Sequence, residues 1–195
     1  SYGNERNHSN EVYGNTITGF HKGIFLQDPG IDLHSNTMIN CDSGIQILTA
    51  RDSNIRNNII TSNVSRSEGI SNKVSDYINN VNIYDNTIMV EGSPFRFTNV
   101  NLGDTEIGYK ITIRNNEVTS INNSNSSFSK IRGFNFENNI CNNSGIRTIE
   151  ASIGSILNNM FENGIIRISQ GCSDLNFIDN IITGGKCFNE DNTDA

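Results

Sequence analysis

The chain has 195 residues, enough for one ordinary domain, and only 34% of them are hydrophobic, with no Trp and two Pro. No apolar run approaches the length needed to span a membrane, and no signal-peptide core stands in the first thirty residues. The formal charge of −7 argues against a nucleic-acid or anionic-membrane partner.

In chain order, residues 1–11 are a polar lead-in, residues 12–188 carry a repeat, and residues 189–195 are a polar acidic tail. The repeat is anchored on Asn15, Asn36, Asn58, Asn86, Asn116, Asn139, Asn159 and Asn180, at intervals of 21, 22, 28, 30, 23, 20 and 21 residues. Three positions before each Asn stand Val12, Leu33, Ile55, Ile83, Ile113, Phe136, Ile156 and Phe177. Two positions after stand Ile17, Met38, Ile60, Ile88, Val118, Cys141, Phe161 and Ile182. Every member of both columns is apolar, and the residue just before each Asn is Gly, Ser, Asn or Asp. Apolar residues two apart are the mark of a strand with one buried face. Asn tolerates the left-handed backbone of a tight corner better than any residue except Gly. Each unit therefore reads as strand, Asn corner, strand. A third strand follows, announced by Gly in "GIFL" at Gly23, "GIQIL" at Gly44, "GIRTI" at Gly145 and "GIIRI" at Gly164.

Three short strands per repeat make a solenoid coil. The fold class is all-β, a right-handed parallel β-helix of about eight coils, with rungs ~4.8 Å apart. The corner asparagines lie one above another and bond up and down the stack through their amides. Cys41, Cys141, Cys172 and Cys187 contain no CxxC pair and read as free, mostly buried thiols. His8, His21 and His34 show no metal-ligand spacing, so no metal is assigned.

The "GI-x-L/I" strands, the "I-x-I-x-N-N-x-I" units and the Asn column resemble the parallel β-helix proteins of the pectin-lyase-like superfamily, over about Val12 to Phe188. That superfamily includes polysaccharide lyases, galacturonases, alginate epimerases, phage-tailspike depolymerases and noncatalytic adhesins. The resemblance implies a polysaccharide as partner and an extracellular or virion-surface location. Of these families the tailspike type is favoured, as part of a longer, homotrimeric protein. The alternatives are a bacterial uronate lyase or epimerase, and a noncatalytic adhesin or spacer. In the resembled families substrate lies across the Gly-Ile strand rather than along the Asn edge. Strand alternation then puts Phe25, Gln46, Arg96, Arg147 and Arg167 on the outward floor as substrate-binding residues. Arg147 and Arg167 should stack on adjacent coils and either hold an acidic sugar or pair with Glu150 or Glu162.

Asp28, Asp52 and Asp76 follow the same strand and are the candidate catalytic acids. In one column, neighbours would lie about 5 Å apart and alternate coils about 10 Å apart, which brackets retaining and inverting spacings. The bland reading is three turn aspartates. No cofactor is implied, although such a cluster would suit Ca²⁺. The two long intervals add loop around "SRSEGISNKVSDY" and "FRFTNVNLGDTEIGYK", offering Glu68, Tyr77, Asp104 and Tyr109 beside a binding face. Lacking an apolar cap ahead of Val12, the chain is expected to be a piece of a longer protein.

Overall fold

A computed structural model describes residues 10–100, 111–169 and 171–189, with nothing said of the side chains of residues 73–77, 152, 188 and 189. The described strands run parallel and stack as a β-solenoid. Eight of them, the strands that follow each repeat Asn, form one sheet. Eight Asn rungs amount to about seven complete turns from first to last. The other sheet has 13 strands and wraps two faces of each coil. It holds both the Gly-Ile strands and the strands that lead into each Asn. Ser43–Arg56, Glu68–Tyr84 and Ser126–Glu137 are long because each runs through both faces without a break.

The two apolar columns read from the repeat are the core. Leu33, Ile55, Ile83, Ile113, Phe136 and Ile156 are fully buried, and so are Met38, Ile60, Ile88, Val118, Cys141 and Phe161. Register partners follow the repeat: Ile113 faces Phe136, and Phe136 faces Ile156. At the terminal rungs, Val12, Ile17, Phe177 and Ile182 are only half-buried, since among the described residues each has a rung on one side. Aromatic contacts fill the middle, with the Phe128 and Phe134 rings stacked at 5.1 Å and Phe97 on Phe128 at 6.0 Å.

The Asn column forms a continuous ladder. Asn15 donates its side-chain amide to Asn36 Oδ1 at 2.9 Å, and the same bond repeats through Asn58, Asn86, Asn116, Asn139 and Asn159 to Asn180. Each Oδ1 also accepts the backbone N–H of the preceding rung's Asn, as when Asn139 N donates to Asn159 Oδ1 at 2.9 Å. The amide hydrogens reach carbonyls one rung back as well, as from Asn139 Nδ2 to Ile113 O at 3.0 Å. Buried amides so satisfied stabilise the corner instead of penalising it.

One expectation about this corner is corrected. The left-handed residue is the one before the ladder Asn: Gly14, Ser35, Asn57, Asp85, Asn115, Asn138, Asn158 and Asp179 all have positive φ. The ladder Asn follows that turn, and its side chain points into the stack. A second column of positive φ lies at the junction of the two faces of the larger sheet, at Gly30, Asp52, Asn80, Gly133, Ile153 and Asp174. The leading glycines have a steric origin: a Cβ on Gly145 would stand 1.8 Å from Ile165 O, on the next rung. All four cysteines are free thiols; Cys41 and Cys141 are buried, Cys172 half-buried and Cys187 exposed.

Candidate functional site

The Gly-Ile strands set the geometry. Their register runs Phe25 to Gln46, Gln46 to Ser71, Ser71 to Arg96, Arg96 to Ser127, Ser127 to Arg147 and Arg147 to Arg167. All five residues expected on the outward floor therefore lie in one row, each on its own rung. Alternation explains this, because the residues flanking the row, such as Ile45 and Ile47 or Ile146 and Thr148, are buried.

The row is not uniformly open. Phe25 is 42% exposed and lies under the Lys22 ammonium, which sits 4.5 Å from the ring centroid. Gln46, expected at the surface, is 7% exposed, and its Oε1 has no hydrogen-bond partner among the described residues. Arg96 is exposed but donates to Glu68 Oε1 at 2.6 Å, one rung back. Arg147 is exposed and Arg167 half-buried. Pairing of Arg147 with the two acids weighed for it is not found among the described residues. Glu150 lies 3.9 Å from Lys130 Nζ, and Glu162 belongs to the opposite, eight-stranded sheet.

Asp28 and Asp52 do not share a column. Gly30 N–H donates to Arg51 O, and Asp32 pairs with Asn54, so Gly30 is level with Asp52. Asp28 sits two residues earlier, in the exposed bend after Lys22–Leu26. Asp52 occupies the left-handed junction at φ 49° and accepts a 2.6 Å bond from Asn80 Nδ2. The side chain of Asp76 lies outside the described residues. Its backbone precedes Tyr77, which pairs with Thr49, not with Asp52. The physical cause is a bulge. The step from Asn72 to Tyr77 faces only the step from Ile47 to Thr49, so Asp76 falls among extra residues. Asn72 carries the pairing past the bulge by exchanging side-chain bonds with the Thr98 backbone at 2.7 and 2.9 Å.

The first long repeat divides its extra length between the loop from Ser62 to Glu68 and the bulge just described. The second takes its extra residues between Val100, paired with Ile131, and Ile111, paired with Phe134. Asp104 and Tyr109 belong to it and lie outside the described residues, as does the Tyr77 side chain. A cavity of about 270 Å³ opens at the junction of the two faces, lined by Pro29, Thr49, Ala50 and Arg51. Its wall is tied by a hydrogen bond from Thr49 Oγ1 to Gln27 O.

On the strands leading into the first two ladder positions stands a group that the sequence reading did not assemble. Glu11 pairs in register with Asp32, and Tyr13 with His34. Ligand atoms of Glu11, Asp32 and His34 all lie within 4.8 Å of one another. The signal available was Asp-Leu-His on one strand, which puts two ligand types on one face. The third member comes from 21 residues earlier, and only the register supplies it. Asp32 also receives Arg56, whose Nε and Nη2 donate at 3.0 and 2.7 Å. That bond, outweighing a small opposing effect of burial, raises the guanidinium pKa further above its already high value.

No family model matches the chain, and no curated protein matches it.

Proposed function

We propose that this solenoid binds an anionic polysaccharide along the row from Phe25 to Arg167, with Arg147 and Arg167 as its carboxylate-holding end. The observation that carries the reading is the register pairing of Arg147 with Arg167 in a chain of net charge −7. The register puts two cationic residues on adjacent rungs, where one anion lying over both would gain bidentate hydrogen bonds. Six rung spacings, roughly 29 Å, separate Phe25 from Arg167, but Gln46 and Ser71 between them are buried, so the open run is the three spacings from Arg96 to Arg167, roughly 14 Å. Phe25 offers an aromatic face beyond that gap. The cavity lined by Pro29, Thr49, Ala50 and Arg51 lies at the junction that borders the row.

The wider reading, a domain of a homotrimeric phage-tailspike-like protein at an extracellular or virion surface, rests on the family resemblance. Binding without cleavage is favoured over a hydrolase or a uronate lyase by one observation. Asp28 and Asp52 are not level, and Asp52 is held by Asn80 at a structural turn.

The test is a panel of capsular and O-antigen polysaccharides, acidic and neutral, with binding, reducing-end release and absorbance of unsaturated uronate read in parallel, with and without EDTA. Retention of acidic polymers without either product supports the reading. Reducing ends would convert it to a glycosidase, and unsaturated product to a lyase. Equal or absent binding of acidic and neutral polymers would reject the anionic row.

A further inference from the structure

We propose that Glu11, Asp32 and His34 bind a divalent first-row transition ion of the Zn²⁺ or Co²⁺ class, which clamps the first coil to the second. The group does not touch the row discussed above. It lies on the strands Asn10–Tyr13 and Ile31–His34, ahead of Asn15 and Asn36.

The register builds the site. Glu11 and Asp32 face each other across adjacent rungs, and His34, two residues on, shares their outward face. All three offer ligand atoms within 4.8 Å of one another. Ligands at ~2.0–2.2 Å from a tetrahedral ion lie about 3.3–3.6 Å apart, so closure needs a shift of up to about 1.5 Å at the widest pair. Glu11 is exposed and free to make it, while Asp32 and His34 are half-buried and held. One imidazole with two carboxylates is a mixed nitrogen–oxygen set. It suits Zn²⁺, Co²⁺ or Fe²⁺, whereas Mg²⁺ and Ca²⁺ take oxygen alone.

The two fixed ligands are oriented from behind. Arg56 donates to both Asp32 oxygens at 3.0 and 2.7 Å, and each oxygen keeps a lone pair for the ion. The His34 ring stacks on Tyr13, with centroids 5.1 Å apart and planes 1° from parallel. His34 Nδ1 is 3.2 Å from Ser35 Oγ. A proton on Nδ1 donated to that hydroxyl leaves the Nε2 lone pair for the metal. The Arg56 charge opposes a second cation but also offsets one of the two carboxylates. The site therefore binds more weakly than an all-ligand zinc centre and releases its ion readily to chelators. Because the ligands come from two rungs, an ion bound to the folded state raises its melting temperature by mass action.

The experiment titrates the whole chain with Zn²⁺, and separately with Mg²⁺, reading melting temperature and calorimetric affinity. His34→Phe keeps the ring on Tyr13 and removes the nitrogen. Glu11→Gln keeps the shape and removes the charge. His21→Gln deletes the exposed His21–Asp42 pair, the other histidine–carboxylate contact among the described residues. Zn²⁺ should raise the melting temperature of the parent and of His21→Gln, with Mg²⁺ inert. Affinity should fall tenfold or more in His34→Phe and Glu11→Gln. In the unmodified protein, the His34 ring nitrogens should shift on Zn²⁺ addition in a long-range ¹H–¹⁵N spectrum, which reads the site even if a variant fails to fold. Unchanged affinity in His34→Phe, loss confined to His21→Gln, an unmoved His34 ring, or no binding at millimolar Zn²⁺ would each overturn the proposal.

Discussion

Asn138 and Asn139 divide one corner between them. Asn138 turns the chain at φ 53° with its side chain exposed, while Asn139, 1% exposed, bonds to Asn159 and to the Ile113 carbonyl. The same residue type thus does two unlike jobs at adjacent positions.

That division predicts opposite outcomes for two neighbouring substitutions. Asn139→Ala strands the Asn116 donors and a buried carbonyl, and should destabilise by about 1–3 kcal/mol. Asn138→Gly keeps the left-handed turn and should leave stability within about 0.5 kcal/mol. Denaturant unfolding of both variants decides it; equal losses would refute the separate roles.

Ile153 is the misfit of the second left-handed column. It holds φ 52° where the neighbouring rungs use Gly133 and Asp174, and it is 41% exposed. A β-branched residue is strained there, by roughly 1–2 kcal/mol. Ile153→Asn and Ile153→Gly should each raise the unfolding midpoint. A lowered midpoint in both would mean that the Ile153 side chain outweighs its strain.

Arg147→Ala and Arg167→Ala should each weaken binding of acidic polysaccharide, with the melting temperature hardly moved in the first and lowered in the second. Arg147 is exposed between buried neighbours, so little packing is lost on its truncation, whereas Arg167 is half-buried and its Nε lies inside the fold. The double variant should also lose most of the salt dependence of binding. Wild-type affinity in that variant would remove these arginines from the site.

The cysteines should separate by reactivity. Burial pushes the Cys141 thiol well above its ordinary pKa, while Cys187 is exposed. A thiol reagent at neutral pH should label Cys187 promptly and Cys141 only on unfolding. The sign for stability follows. An unfolded Cys ionises near about 8.5, and the folded one stays neutral far beyond. The contribution of Cys141 is full below that pH and declines as pH rises above it. Replacing Cys141 with Val should flatten that alkaline decline in urea midpoints measured across the range.

Much of this molecule was legible residue by residue. The columns Leu33 to Ile156 and Met38 to Phe161 repeat against a fixed Asn, and a stack of parallel strands demands like next to like. The outward row was legible for the same reason, since alternation is local. The turn was misplaced by one residue because Asn fills both corner positions in several rungs, and composition does not say which one turns.

Other features depended on pairing between rungs. Spacing along the chain counts the extra residues of the long repeats but does not say where they leave the coil. The bulge at Asn72 to Tyr77 takes Asp76 out of register with Asp52. Gln46 alternates outward yet is buried, which alternation along one strand does not show.

The repeat by itself determined the solenoid, its ladder and its core, because those follow from a period that each coil carries within itself. Only the tertiary structure decided that the register slips between Asn72 and Tyr77, that Arg147 meets Arg167 while Arg96 is held by Glu68, and that Glu11 meets Asp32 and His34. Each of those is a contact between coils, and register between parallel strands is set by the whole stack.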